Sequence, residues 1–215
     1  LRIFEIEGFK FNENTFGIFL SKLHHLYWLS LINCRIDLST ILLSISKCET
    51  LRMLKIERMK FHLQDNFDCD FPPDFYRIDI PNLECDENTL ISFMKLIVTK
   101  DWGYGFHLNI SNANISTDVW EKVFNSLPRQ PNKITRLFWD GNIVNKAFCR
   151  YMLEYSPNLE LISLKNCKFE DINEYRVSFE KLHFLETVLI PGNETADFSN
   201  RDAIVQILPT LTRCK

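Results

Sequence analysis

No stretch of this chain approaches the ~20 uninterrupted apolar residues that a membrane-spanning helix requires, and no signal peptide opens it. Positive charge is also short: 25 Lys and Arg stand against 28 Asp and Glu, a formal net charge of −3. A protein held to nucleic acid by phosphate contacts needs a basic face, so nucleic acid is not an expected partner. Paired cysteines are missing too. Cys34, Cys48, Cys69, Cys85, Cys149, Cys167 and Cys214 contain no Cys-x-x-Cys and are odd in number. That spacing argues against a disulfide framework; the expectation is reduced, buried thiols in a cytoplasmic protein.

Convergent titratable groups, which a catalytic site requires, are equally scarce. His24 and His25 are adjacent, so their side chains diverge, and no carboxylate or cysteine stands at ligand spacing from them. The stretch from Asp65 to Asp74 carries four aspartates but lacks the glycine and terminal glutamate of a calcium loop, and reads as a solvated acidic loop. Gly103-Tyr104-Gly105 is not followed by Lys-Ser/Thr, so it is no phosphate loop; its glycines ease a tight turn into the next strand. No catalytic residue, metal site or cofactor is expected.

What the chain does have is a repeat. LRIFEIEGFKF from Leu1, LYWLSLINCRI from Leu26 and LRMLKIERMKF from Leu51 align without gaps, with apolar residues at places 1, 4, 6, 9 and 11. The frame continues at Phe75, Gly105 (where the first leucine is lost), Ile134, Leu159 and Leu185. Successive steps are 25, 25, 24, 30, 29, 25 and 26 residues, and Leu211 would open a ninth unit. Because Leu1 falls on a repeat position, residues 1–215 are expected to be one domain of about eight repeats within a longer array, with neighbouring repeats or domains of the same chain beside it.

Places 4 and 6 alternate, so they lie on one side of a short strand and places 3, 5 and 7 on the other. Place 9 falls where the chain turns away. Asn there bonds exposed backbone groups, and Cys fills the same space as a weak donor; Cys34, Cys167, Asn142 and Asn193 hold it. The return segments read as helices over residues 15–24, 38–48 and 87–99, with capping boxes at Asp118/Glu121 and Ser199/Asp202. Residues 62–74, with two adjacent prolines and four aspartates, are expected to be irregular.

The pattern LxxLxLxx(N/C)x(L/I), nearly perfect in LYWLSLINCRI and LELISLKNCKF, resembles the leucine-rich repeat. The resemblance implies an α/β solenoid, a horseshoe with a parallel concave sheet and a mostly helical convex side. Its helical returns are similar to the ribonuclease-inhibitor-like subtype, which includes RanGAP, tropomodulin and CARMIL, while cysteine at place 9 is similar to the repeats of F-box substrate receptors. Nothing in the sequence matches the catalytic arginine expected of a RanGAP. The implied function is a protein-interaction scaffold; a substrate-recognition arm and an actin or small-GTPase regulator are the alternatives. The concave-face residues expected to meet a protein partner are Trp28, Ile32, Met53, Lys55, Arg77, His107, Arg136 and Phe138. Trp28, Ile32 and Met53 are expected to form one apolar patch bordered by Arg52, Lys55 and Glu57.

Overall fold

Each apolar repeat becomes one strand of a single parallel sheet. The computed structural model describes residues 1–65, 67–170, 184–185 and 187–189, the last three as backbone and without the side chains of 13, 14 and 153. Asn193, the segment opened by Ser199 and Asp202, Leu211 and Cys214 lie outside the described residues.

The long strands are β1 (Ile3–Glu7), β2 (Trp28–Ile32) and β3 (Met53–Glu57), followed by a two-residue β4 (Lys60–Phe61). Then come β5 (Arg77–Asp79), the short β6 (Glu84–Cys85), β7 (Phe106–Asn109), β8 (Ile134–Phe138), the short β9 (Ile143–Val144), β10 (Leu161–Ser163), the short β11 (Lys168–Phe169) and β12 (Thr187–Leu189). The main sheet runs β1-β2-β3-β5-β7-β8-β10-β12, the order of the repeats in sequence. Every described pairing in it is parallel.

The returns are helices: α1 (Glu13–Ser21), α2 (Leu38–Ile45), α3 (Glu87–Thr99), α4 (Thr117–Ser126) and α5 (Lys146–Tyr155). Helix α3 spans the residues its periodicity marks; Asp86 caps it by accepting the Thr89 N–H at 2.8 Å. Helix α4 departs from the expected capping box. It begins at Thr117 with Ser116 extended before it, and Asp118 lies inside the first turn, where its charge complements the helix dipole instead of capping. Helix α1 packs on α2, and α4 on both α3 and α5. Helices are about 10 Å across and strands about 4.8 Å apart, so the stack bends with the sheet inside.

Between sheet and helices lies one continuous core. Places 4 and 6 supply Leu29, Leu31, Leu54, Ile56, Leu137, Trp139, Ile162 and Leu164, all fully or almost fully buried. No single repeat covers these side chains, so each depends on its neighbours. The segment 62–74 is irregular as its prolines dictate, yet it is anchored: Leu63 and Cys69 are buried, and Phe71 stacks on Phe75 and meets Trp102 at 4.9 Å. Trp102 in turn stacks on Phe106 at 3.9 Å, and Phe106, fully buried opposite Ile134, stands where the fifth repeat lacks its first leucine.

A β-bulge marks that same junction. Phe106 pairs with Ile134 but His107 with Arg136, so Thr135 is an extra residue in β8. Gly105 faces it with φ of +94°, and any Cβ there would strike the Thr135 side chain. The expected role of the Gly-Tyr-Gly stretch is thereby located in one glycine.

Candidate functional site

The sheet register places Ile3, Trp28, Met53, Arg77, His107, Arg136, Leu161 and Thr187 side by side, one from each strand of the main sheet at place 3. Place 5 forms a second row that includes Glu5, Ser30, Lys55, Asp79 and Phe138. The alternation that buries places 4 and 6 therefore presents these rows together on the opposite face. Seven of the eight residues named from the sequence offer surface there. The exception is Ile32: it lies between Glu7 and Glu57 in register but is only 8% exposed, so it belongs to the covered part of the sheet. The apolar run on this side is consequently Ile3, Trp28 and Met53, adjacent at place 3, with Ile3 58% exposed.

Several charges at this end are paired within the chain. Lys55 holds Glu57 at 2.7 Å and keeps its carboxyl below the ordinary range. Arg52 forms an ion pair with Asp74, and Arg58 one with Glu7 at 3.2 Å. Beneath the apolar run, the Trp28 indole N–H and the Ser30 hydroxyl are both buried without a hydrogen-bond partner. Buried polar groups are normally satisfied, so two orphans two residues apart make this a locally costly surface.

The middle of the sheet has a different character. The Arg77 Nε–H donates to both Asp79 carboxylate oxygens, at 3.0 and 2.9 Å, and its guanidinium lies 5.9 Å from the centre of the Phe138 ring. His107, half-buried, sits between Arg77 and Arg136 in register. Burial, then the positive charges of Arg136 and Arg77, pushes its pKa down to about 4. The edge of the Tyr76 ring meets the imidazole at 5.2 Å, and the Tyr76 and Tyr27 hydroxyls share a hydrogen bond of 3.0 Å. Phe138 stands four strand steps from Trp28, about 19 Å, so these two aromatics mark separate points on one face.

The turn that ends each strand carries a feature that sequence reasoning missed. At place 8, Gly8, Asn33, Arg58, Asn82, Asn112, Gly141 and Asn166 all have φ between +50° and +73°. Gly8, Asn33, Asn82, Asn112 and Gly141 each donate a backbone N–H to the place-7 carbonyl of the following repeat at 2.6 to 2.9 Å. Glycine and asparagine are the residues that tolerate this conformation, and the Gly/Asn column was present in the aligned repeats. Place 9 behaves as its chemistry predicts. Cys34 donates to the Ile6 carbonyl at 3.5 Å, Asn142 to that of Ile110 at 2.7 Å, and Cys167 to that of Trp139 at 3.3 Å, always place 6 of the preceding repeat.

Places 10 and 11 then form short parallel pairs of their own, β4 with β6 and β9 with β11, plus the bridge from Lys10 to Arg35. The cysteines described are free thiols, and burial pushes Cys69, Cys85 and Cys167 up to about 12. Such thiols stay protonated and serve as packing and weak donors rather than nucleophiles. His24 and His25 are both exposed in a turn, and among the described residues no group of three or more His, Cys, Asp or Glu converges to hold a metal ion. Asp68 of the acidic segment is paired with Lys100 at 2.6 Å.

Parallel strands in sequence order, helical returns and a left-handed turn with an Asn or Cys clasp define the leucine-rich-repeat solenoid, and this chain has that fold. An internalin from Listeria monocytogenes is similar in structure, with a TM-score of 0.51 at 16% identity over the whole of this chain and 53% of its own. A Bacteroides fragilis protein gives a TM-score of 0.44 at 11% identity, covering 87% of this chain and 62% of its own. The chain thus spans about half the length of the internalin it matches. No family model and no curated protein matches the sequence. Among the described residues no helix is long and apolar enough to cross a membrane.

Proposed function

We propose that this chain is a protein-interaction scaffold that takes its partner on the concave sheet face. The observation that carries the reading is the place-3 row: Ile3, Trp28 and Met53 give an apolar anchor, and Arg77, His107 and Arg136 continue it as a polar, basic stretch. Aromatic and arginine side chains in such a mixture are what binding hot spots favour. The chain on this reading is not an enzyme, needs no cofactor and works in the cytoplasm.

The test is affinity for a captured partner, measured for the parent chain and for Trp28→Ala combined with Phe138→Ala. Loss of tenfold or more, with an unchanged circular-dichroism spectrum, supports the sheet face; unchanged affinity sinks it. Two narrower forms rest on particular features. The cysteine clasps of Cys34 and Cys167 support a substrate-recognition arm of an F-box-type ligase, tested by ubiquitin transfer to a bound substrate. The helical returns support a regulator of the CARMIL, tropomodulin or RanGAP kind, tested by actin assembly and GTP hydrolysis.

A further inference from the structure

We propose that Arg77, His107 and Arg136 form a seat for a carboxylate side chain, so that the partner element lying on the sheet is an extended acidic peptide segment. The inference rests on the concave-face reading above and names the chemistry of its occupant.

The three residues are adjacent in register on β5, β7 and β8, so the two arginines stand about 9.6 Å apart at their strands with the imidazole between them. Arg77 is fixed from behind. Its Nε–H is taken by Asp79 and its guanidinium lies over Phe138, which leaves the terminal nitrogens for another acceptor. Arg136 is exposed, and no described residue accepts a hydrogen bond or forms an ion pair from its guanidinium. Two guanidiniums thus flank a half-buried imidazole, and among the described residues only Arg77 has a carboxylate partner. Guanidinium forks match carboxylates in geometry as well as charge.

The surroundings favour a short acidic segment over a polyanion. Among the described residues the arginines at places 3 to 7 are Arg77 on β5 and Arg136 on β8, while Lys55 on β3 is paired with Glu57, and Glu5, Glu7 and Glu57 line the same face on β1 and β3. A nucleic-acid strand laid along the sheet would meet those glutamates, and the chain as a whole carries −3. Beside His107, a groove of about 550 Å³ opens between Tyr27, Asp74, Tyr76 and Tyr104, the last 95% exposed. Its tyrosine walls suit the residues that flank an acidic side chain, offering apolar area with a hydroxyl at the edge.

His107 is the reporter. The charged groups around it are Arg77 on β5 and Arg136 on β8, with Tyr76 against its ring and the Arg52–Asp74 pair across the groove. A carboxylate bound between the arginines cancels their repulsion of an imidazolium and raises the midpoint of the His107 titration. The experiment follows that midpoint by NMR, with and without a blocked eight-residue peptide containing four consecutive glutamates, its glutamine counterpart and a single-stranded oligonucleotide.

The expected result is a rise of about one pH unit or more with the glutamate peptide only. Arg136→Gln should also weaken that peptide at least tenfold while leaving the melting temperature unchanged. An unmoved midpoint at millimolar peptide, an equal response to the glutamine peptide, or a larger response to the oligonucleotide would overturn the assignment. Should the Trp28→Ala/Phe138→Ala variant lose its partner while His107 ignores the glutamate peptide, the acidic seat falls and the sheet-face reading stands. Unchanged partner binding in that variant overturns the sheet-face reading, and with it the acidic segment as the partner's bound element, whatever His107 does with the free peptide.

Discussion

Asn142 reaches across a repeat boundary to the carbonyl of Ile110, its side-chain N–H donating at 2.7 Å within the core. Cys34 and Cys167 make the same connection to Ile6 and Trp139, so two chemically different side chains perform one task. Asn142 also buries its own Oδ1 without a partner, a defect that cysteine does not share. Asn142→Ala should therefore destabilise by about 1–3 kcal/mol, because the Ile110 carbonyl is left unpaired, and Asn142→Cys by clearly less. Urea unfolding of both variants checks the ranking; equal losses would deny the clasp.

Arg58 is the one place-8 residue among those described that is neither glycine nor asparagine, and its φ is +55°. Left-handed backbone costs an ordinary L-residue about 1–2 kcal/mol. Its ion pair with Glu7 joins two exposed side chains and is worth a few tenths of a kcal/mol. Arg58→Gly and Arg58→Asn are expected to raise stability by about 1 kcal/mol, read as a higher denaturation midpoint at unchanged slope.

Gly105 and Thr135 are expected to be coupled. Gly105→Ala places a Cβ against the bulged Thr135 at a φ of +94° and should cost about 2–3 kcal/mol. Thr135→Ala removes the obstructing methyl and hydroxyl but not the backbone strain. The double variant should thus recover part of the loss, and a double-mutant cycle that sums additively would refute the contact.

Ser30 lies in the place-5 row of the sheet, 1% exposed and with an unsatisfied hydroxyl. Ser30→Ala should be neutral or stabilise by up to about 1 kcal/mol, since it removes a buried polar group that nothing satisfies. A loss of more than 1 kcal/mol in thermal or urea unfolding would show that the hydroxyl is in fact bonded.

His107 makes stability depend on pH in a defined window. An unfolded histidine titrates near 6.5 and the folded one near 4, so between these values the unfolded chain binds more protons. Stability from this group is complete above pH 6.5 and is lost as the pH falls toward 4. His107→Asn should flatten that part of the melting-temperature profile relative to the parent chain, whose carboxylates contribute their own decline in both proteins.

The sequence carried the strand face because a period of two admits no ambiguity once places 4 and 6 are fixed as core. That is why Trp28, Met53, Arg77, His107 and Arg136 fell into one row. Ile32 escaped because alternation assigns a side but not an exposure, and Glu7 and Glu57 stand in register on either side of it. Helix α4 shows a different limit: Ser116, Thr117 and Asp118 are three successive cap-formers, so side-chain chemistry alone does not choose among them. The short ladders at places 10 and 11 leave almost no trace, since two-residue strands are too brief to show a period. The left-handed column was visible as Gly and Asn in register, and became meaningful once φ was known.

The bulge at Thr135 limits the modularity of the array. Each of the other described turns is left-handed and each of the other described strand pairings is in simple parallel register, so a unit there can be deleted or duplicated with its junctions intact. The fifth and sixth units are keyed to each other instead: Thr135 needs a glycine opposite it, and only Gly105 among the eight place-1 residues provides one. Whatever lengthens or shortens this solenoid must move those two units as a pair.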